Sequence, residues 1–251
     1  TRTRSGQGAE IVIVLDRSGS MSEPMIGAKD PAARHEAKIA AARRVLLDFM
    51  QRRPGDTFGM TTFNASPIGA SPLSDDRELV QASLASAEAR SEGYTAPASA
   101  LALALDYFRD RPMTASRVVL LVSDGGATIK EDSREKLKAL FAERHASLVW
   151  IYTRGEDEPS IRAPRRNADT DSLSLHEFFG QLGSPYEMFE VTSPEGLEHA
   201  VSEIGRMTNL PTRYEERLPR RDLAAPLFML AACGLVLLIA ARAMEVRQWH
   251  A

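Results

Sequence analysis

Residues 11–20 read Ile-Val-Ile-Val-Leu-Asp-Arg-Ser-Gly-Ser, and this stretch decides the fold. A continuous apolar run rich in β-branched residues is the pattern of a strand buried on both faces, as in a parallel sheet. A carboxylate, Asp16, follows at once, and two hydroxyls follow it at alternate positions. Residues 118–126, Val-Val-Leu-Leu-Val-Ser-Asp-Gly-Gly, repeat the arrangement with Asp124.

Working outward, Pro31–Arg53 reads as a helix, with Ile39, Val45, Leu46, Phe49 and Met50 on one side and Pro54–Gly55 as its stop. Thr57–Phe63 reads as a strand. Pro67–Leu73 reads as a short edge strand, because its prolines exclude a central place. Helices are expected at Asp75–Ala89, Ala98–Phe108 and Asp132–His145, and strands at Leu148–Tyr152 and Tyr186–Val191. Arg154–Asp171 is polar and reads as a surface loop, and Leu173–Leu182 as a short helix. The spacing of Leu197, Ala200, Val201, Ile204 and Met207 predicts a helix over Pro194–Thr208. No internal repeat or low-complexity tract interrupts the pattern.

Strands alternating with helices imply an α/β fold: a doubly wound, mostly parallel sheet with helices on both faces. In such sheets ligands sit beyond the carboxyl ends of the strands, where the winding direction reverses. If the strands leading to Asp16 and Asp124 are the adjacent central pair, both carboxylates meet at one crevice. Asp16, Ser18 and Ser20 share one tight loop, and Gly19 between the serines frees the backbone to turn them the same way. Thr95, in Gly93-Tyr94-Thr95, offers a third hydroxyl before the Ala98 helix. All these groups are oxygen donors. Hard oxygen ligands select Mg²⁺, Mn²⁺ or Ca²⁺ over Zn²⁺ or Cu²⁺.

Asp-x-Ser-x-Ser after a buried strand, a distant Gly-Tyr-Thr and Val-Ser-Asp-Gly together resemble the metal-ion-dependent adhesion site of von Willebrand factor A (VWA) domains, over about Glu10 to Met207. The resemblance implies that Ser18, Ser20 and Thr95 ligate Mg²⁺ directly, and that Asp16 and Asp124 do so directly or through water. It also implies that an acidic residue of a partner protein completes the coordination. Arg17, inside the same loop, is placed to steer an acidic partner, or simply to face solvent.

The rest of the chain bounds this reading. Its 251 residues suit one α/β domain with an appendage. An apolar fraction of 43% and a charged fraction of 26% are ordinary for a globular protein, and a net charge of −3 gives nucleic-acid binding no support. The single cysteine, Cys233, excludes an internal disulfide framework. Leu223–Ala241 carries no charge, and nineteen helical residues span roughly 28 Å, close to a bilayer core. A C-terminal transmembrane helix is therefore expected, with Pro226 tolerated in its first turn. The domain map is a polar lead at 1–9 without a signal peptide, a VWA domain at 10–208, a charged linker at 209–222, the span at 223–241 and a tail at 242–251.

Metal motif, Arg-rich linker and terminal span resemble the bacterial membrane-bound VWA proteins that are encoded beside MoxR-type AAA+ ATPases, the Bat aerotolerance and methanol dehydrogenase accessory proteins among them. That layout implies a role in assembling or maturing a partner complex at the bacterial inner membrane. Those relatives often carry hydrophobic segments upstream of the domain, which this sequence lacks. Arg213, Arg217, Arg220 and Arg221 precede the span and Arg242 and Arg247 follow it; the positive-inside tendency favours a cytoplasmic domain, and a periplasmic one stays open.

An enzyme is not expected. A Mg²⁺-dependent phosphatase of the haloacid dehalogenase type also places an Asp after its first strand, but it wants Asp-x-Asp with the second as general acid. Here Ser18 holds that place, and no lysine stands near a phosphate-binding strand end. No Gly-rich phosphate loop and no Gly-x-Ser-x-Gly elbow is present. His35, His145, His176, His199 and His250 are scattered, and Arg154-Gly155-Glu156-Asp157 reads as loop charge. A third reading is a structural membrane scaffold whose metal only stiffens loops.

Overall fold

The computed structural model describes residues 2–6, 8–25, 27, 35–90, 95–155, 158, 160–162, 170–208, 212–216 and 224–248. In chain order the elements are β1 (Arg2–Gly6), β2 (Ala9–Asp16), α1 (Lys38–Gln51), β3 (Thr57–Phe63), β4 (Pro67–Ser74), α2 (Arg77–Ala85), α3 (Pro97–Asp106), β5 (Ser116–Ser123), α4 (Glu131–Arg144), β6 (Ala146–Thr153), α5 (Asp171–Gly180), β7 (Tyr186–Val191), α6 (Pro194–Thr208), β8 (Thr212–Glu216) and α7 (Ala224–Gln248).

Six strands form the main sheet in the order β4-β3-β2-β5-β6-β7. β2 pairs parallel with β3 on one side and with β5 on the other, so the two Asp-bearing strands are the adjacent central pair. From β2 the chain winds outward through β3 in one direction, and from β5 through β6 and β7 in the other. The switch point lies between β2 and β5, and Asp16 and Ser123 are the last residues of those strands. Only β4 runs antiparallel, at the edge, as its prolines require.

Alternation along β2 shows why the sheet is covered twice. Ile11, Ile13 and Leu15 join one core with α1, α2 and α6, while Val12 and Val14 join the other with α3, α4 and α5. Every residue of β2 is buried, which the continuous apolar run demands.

Several boundaries differ from expectation. The first helix begins at Lys38 rather than Pro31, because Ala37 is extended (φ −61, ψ 145) and bridges Pro24; residues 31–34 lie outside the description. α2 occupies only Arg77–Ala85, with the Asp76 side chain accepting a hydrogen bond from the Leu79 N–H at its start. Two strands escaped the sequence pattern: β1, in the polar lead, and β8, in the linker, pair as a separate two-stranded sheet. Neither stretch alternates apolar with polar, so neither announces itself as a strand.

The chain divides into two compact units, Ser5–Tyr214 and a smaller one of Thr1–Arg4 with Glu215–Ala251. The second contains α7, 25 residues long, or about 37 Å at ~1.5 Å per residue. Leu227, Phe228, Leu230, Leu235, Val236, Leu237, Leu238 and Ile239 on it are all more than half exposed. Among the described residues no helix is long and apolar enough to cross a membrane.

Candidate metal centre

Asp16 ends β2 fully buried, and Asp124 follows β5 at 3% exposure. The Asp16 carboxylate accepts two hydrogen bonds: from the Ser18 N–H at 2.8 Å on Oδ1, and from the Ser123 hydroxyl at 2.9 Å on Oδ2. Ser123 Oγ in turn accepts from the Gly125 N–H at 3.0 Å. This bridge locks the loop after β5 to the end of β2. Burial, and after it the charge of Asp124, push the Asp16 carboxyl up to about 7, against the hydrogen bonds from Ser18 and Ser123.

Ser18 and Ser20 point the same way, their hydroxyl oxygens 3.1 Å apart. The turn that brings them together is 3-10, over Gly19–Ser22, and Gly19 is not among the left-handed glycines of the described chain. The role expected of glycine there falls to the turn itself. Met21, fully buried, pins the loop to β6, where the Thr153 hydroxyl lies 3.5 Å from its sulfur.

Backbone bonds gather the remaining loops at the same end of the sheet. The Arg17 N–H donates to Phe63 O at 2.7 Å, Arg90 N–H to Arg17 O at 2.8 Å, and Ala96 N–H to Asn64 O at 2.8 Å. Thr95, half-buried, stands next to Ala96 and thus at the carboxyl end of β3. Among the described residues no hydrogen bond ties Thr95 to the other four expected ligands; Gly93 and Tyr94 lie outside the description. Arg17 is less free than its sequence position suggests, since its Nε–H donates to Glu88 O at 2.7 Å.

Sequence reading overlooked three residues. Ser123 was legible as part of Val-Ser-Asp-Gly, but its bond to Asp16 was not. Lys38 and Glu158 carried no local signal. The Lys38 side chain is completely buried, with Nζ 3.5 Å from Asp124 Oδ2 and 2.8 Å from Glu158 Oε1. This corrects the expectation that no lysine stands near the strand ends, on which the phosphatase reading was partly set aside. The absence of a second Asp at position 18 still counts against that reading.

Among the described residues no cluster of three or more His, Cys, Asp or Glu side chains is disposed to hold a metal ion. The candidate set is of another kind, two carboxylates with hydroxyls, and its chemistry fits a hard dication.

In doubly wound α/β sheets ligands sit beyond the carboxyl ends of the strands at the switch point, and Asp16 and Asp124 stand at that place here. Residues 11–127 match the family model of the von Willebrand factor type A domain. No curated protein sequence matches it. Among solved structures, the fold is similar to the PilB minor pilin from Streptococcus sanguinis (TM-score 0.61, 14% identity), with 80% of this chain and 61% of the pilin covered. It is similar also to BatB from Bacteroides thetaiotaomicron (TM-score 0.57, 18% identity, 80% and 98% covered). A third is an aerotolerance-related membrane protein from Bacteroides fragilis (TM-score 0.57, 17% identity, 80% and 100% covered). The chain thus spans less than two thirds of the pilin's length.

Proposed function

We propose that this chain is a membrane-anchored, metal-dependent protein-binding module rather than an enzyme. Ser18, Ser20 and Thr95 would ligate Mg²⁺ directly, and Asp16 and Asp124 directly or through water; Mn²⁺ or Ca²⁺ suits the same oxygens. Bound there, the ion supplies an under-neutralised charge that attracts a carboxylate from a partner. The observation that carries the reading is the pair of buried carboxylates at the β2/β5 switch point, beside two hydroxyls 3.1 Å apart.

α7 is the membrane anchor in this reading, on the strength of its length and its exposed Leu, Val and Ile. A MoxR-type AAA+ ATPase as partner, in assembly or maturation of an envelope complex, belongs to the same proposal and rests on the layout of metal motif, Arg-rich linker and apolar C-terminal stretch; BatB and the aerotolerance-related membrane protein share the fold.

Affinity capture with the full chain from detergent-solubilised membranes tests this. Capture of an acidic partner should require Mg²⁺, vanish in EDTA and weaken in Thr95→Ala while the melting temperature holds. EDTA-insensitive capture would remove the metal from recognition, and a lower melting temperature with unchanged capture would reduce the ion to a loop stiffener. Phosphate release from an aryl phosphate, abolished in Asp16→Asn, would instead establish the phosphatase.

A further inference from the structure

The crevice contains a cation of the chain's own. Lys38 opens α1 with no side-chain exposure, and its Nζ lies 2.8 Å from Glu158 Oε1, 3.5 Å from Asp124 Oδ2 and 3.8 Å from Glu23 Oε2. Its place is fixed from both sides. The Lys38 N–H donates to Glu23 O at 2.8 Å, tying the start of α1 to the loop that follows Ser18 and Ser20. The Gly155 N–H donates to Glu158 Oε2 at 2.6 Å, which holds that carboxylate against the ammonium. Gly155 also leaves the space, since a Cβ there would come within 2.9 Å of Nζ.

Removing an ammonium from water is costly unless it is paired and hydrogen-bonded, and an apolar side chain would fill this space without that cost. The pairing is also lopsided. Asp124 is an expected metal ligand, whereas Glu158 and Glu23 are not, and they remain available to the ammonium when Asp124 is engaged elsewhere.

Resting on the metal-site reading above, we propose that Lys38 is the resident counter-charge of the site. Its ammonium compensates Asp124 while no dication is bound, and it shifts to Glu158 and Glu23 when one binds. Lys38 thereby sets the metal affinity. A fixed positive charge beside an incoming dication repels it, by on the order of tenfold or more in affinity even at a moderate effective dielectric. It also leaves the loaded site with surplus positive charge, so that metal and an external carboxylate reinforce each other's binding.

The test is calorimetric titration of Mg²⁺ into the full chain in detergent micelles, with melting curves in EDTA and in Mg²⁺. Lys38→Met keeps the length and removes the charge. It should bind Mg²⁺ about tenfold tighter or more, and Mg²⁺ should raise its melting temperature more than it raises the wild type's. Glu158→Gln takes away the ammonium's second seat, holds it on Asp124, and should weaken Mg²⁺ binding. Opposite shifts in the two variants are something a merely structural lysine would not produce. Should Lys38→Met fail to fold, an unchanged or tighter affinity in Glu158→Gln overturns the proposal. Equal or weaker Mg²⁺ binding in a folded Lys38→Met overturns it as well, while the metal reading survives if Asp124→Asn abolishes the titration. Binding in Lys38→Met but not in wild type supports it. Silence in every variant removes the site and the counter-charge together.

Discussion

At the scale of single residues, the centre of the molecule is Asp16. Its folded-state pKa, about 7, stands above the ordinary value of 3.8, because burial and Asp124 disfavour its charged form. A carboxyl raised in this way stabilises the metal-free fold below about pH 4, and that contribution disappears as the pH rises through about 7. Melting temperatures in EDTA should therefore show Asp16→Asn gaining on the wild type between pH 5 and pH 8, and Mg²⁺ should narrow the difference at the alkaline end. Parallel pH profiles for the two proteins would mean that Asp16 is not held in the predicted field. Ser123 belongs to the same unit, because its hydroxyl joins Asp16 to the Gly125 N–H. Ser123→Ala strips a buried carboxylate of one donor, and a loss of about 1–3 kcal/mol in chemical denaturation is expected.

At the scale of elements, the central strands were the most legible part of the chain. The runs before Asp16 and Asp124 have the composition of strands buried on both faces, and β2 and β5 are neighbours at the switch point. Thr57–Phe63, Tyr186–Val191 and Pro194–Thr208 coincide with β3, β7 and α6. Helix starts were less legible. Where Ala37 is extended and bridged to Pro24, a tertiary contact overrides helical propensity up to Lys38. Asp16, Ser18 and Ser20 stand out as a group in the sequence because they lie within one loop, whereas Thr95 and Asp124 each stand alone on a loop of their own. Lys38 was not legible, because its partners Asp124 and Glu158 lie 86 and 120 residues away. The loop after β5 offers a direct check on how these elements hold the site. Gly125 has φ +74, and a Cβ there would come within 2.9 Å of Ser172 Cβ and 3.0 Å of Trp150 Cζ2. Gly125→Ala should cost about 1–3 kcal/mol and weaken Mg²⁺ binding by displacing Asp124; a neutral effect on both would show that the turn tolerates a side chain.

At the scale of the whole molecule, a sheet covered on both faces carries the candidate site at one end, and α7 belongs to a separate unit. If α7 is an anchor, the full chain should sediment with membranes, resist carbonate and enter solution only with detergent, and removal of 223–251 should release it. A full chain that stays in the supernatant after ultracentrifugation would leave the helix without that role. The proposed metal centre exists only if oxygens from three loops share one cation. Calorimetry of Mg²⁺ with the metal-free protein asks this most directly. A single saturable site that weakens by at least about tenfold in Ser18→Ala, Thr95→Ala and Asp124→Ala alike is the predicted result. An Mg²⁺ isotherm that none of the three substitutions alters would contradict it.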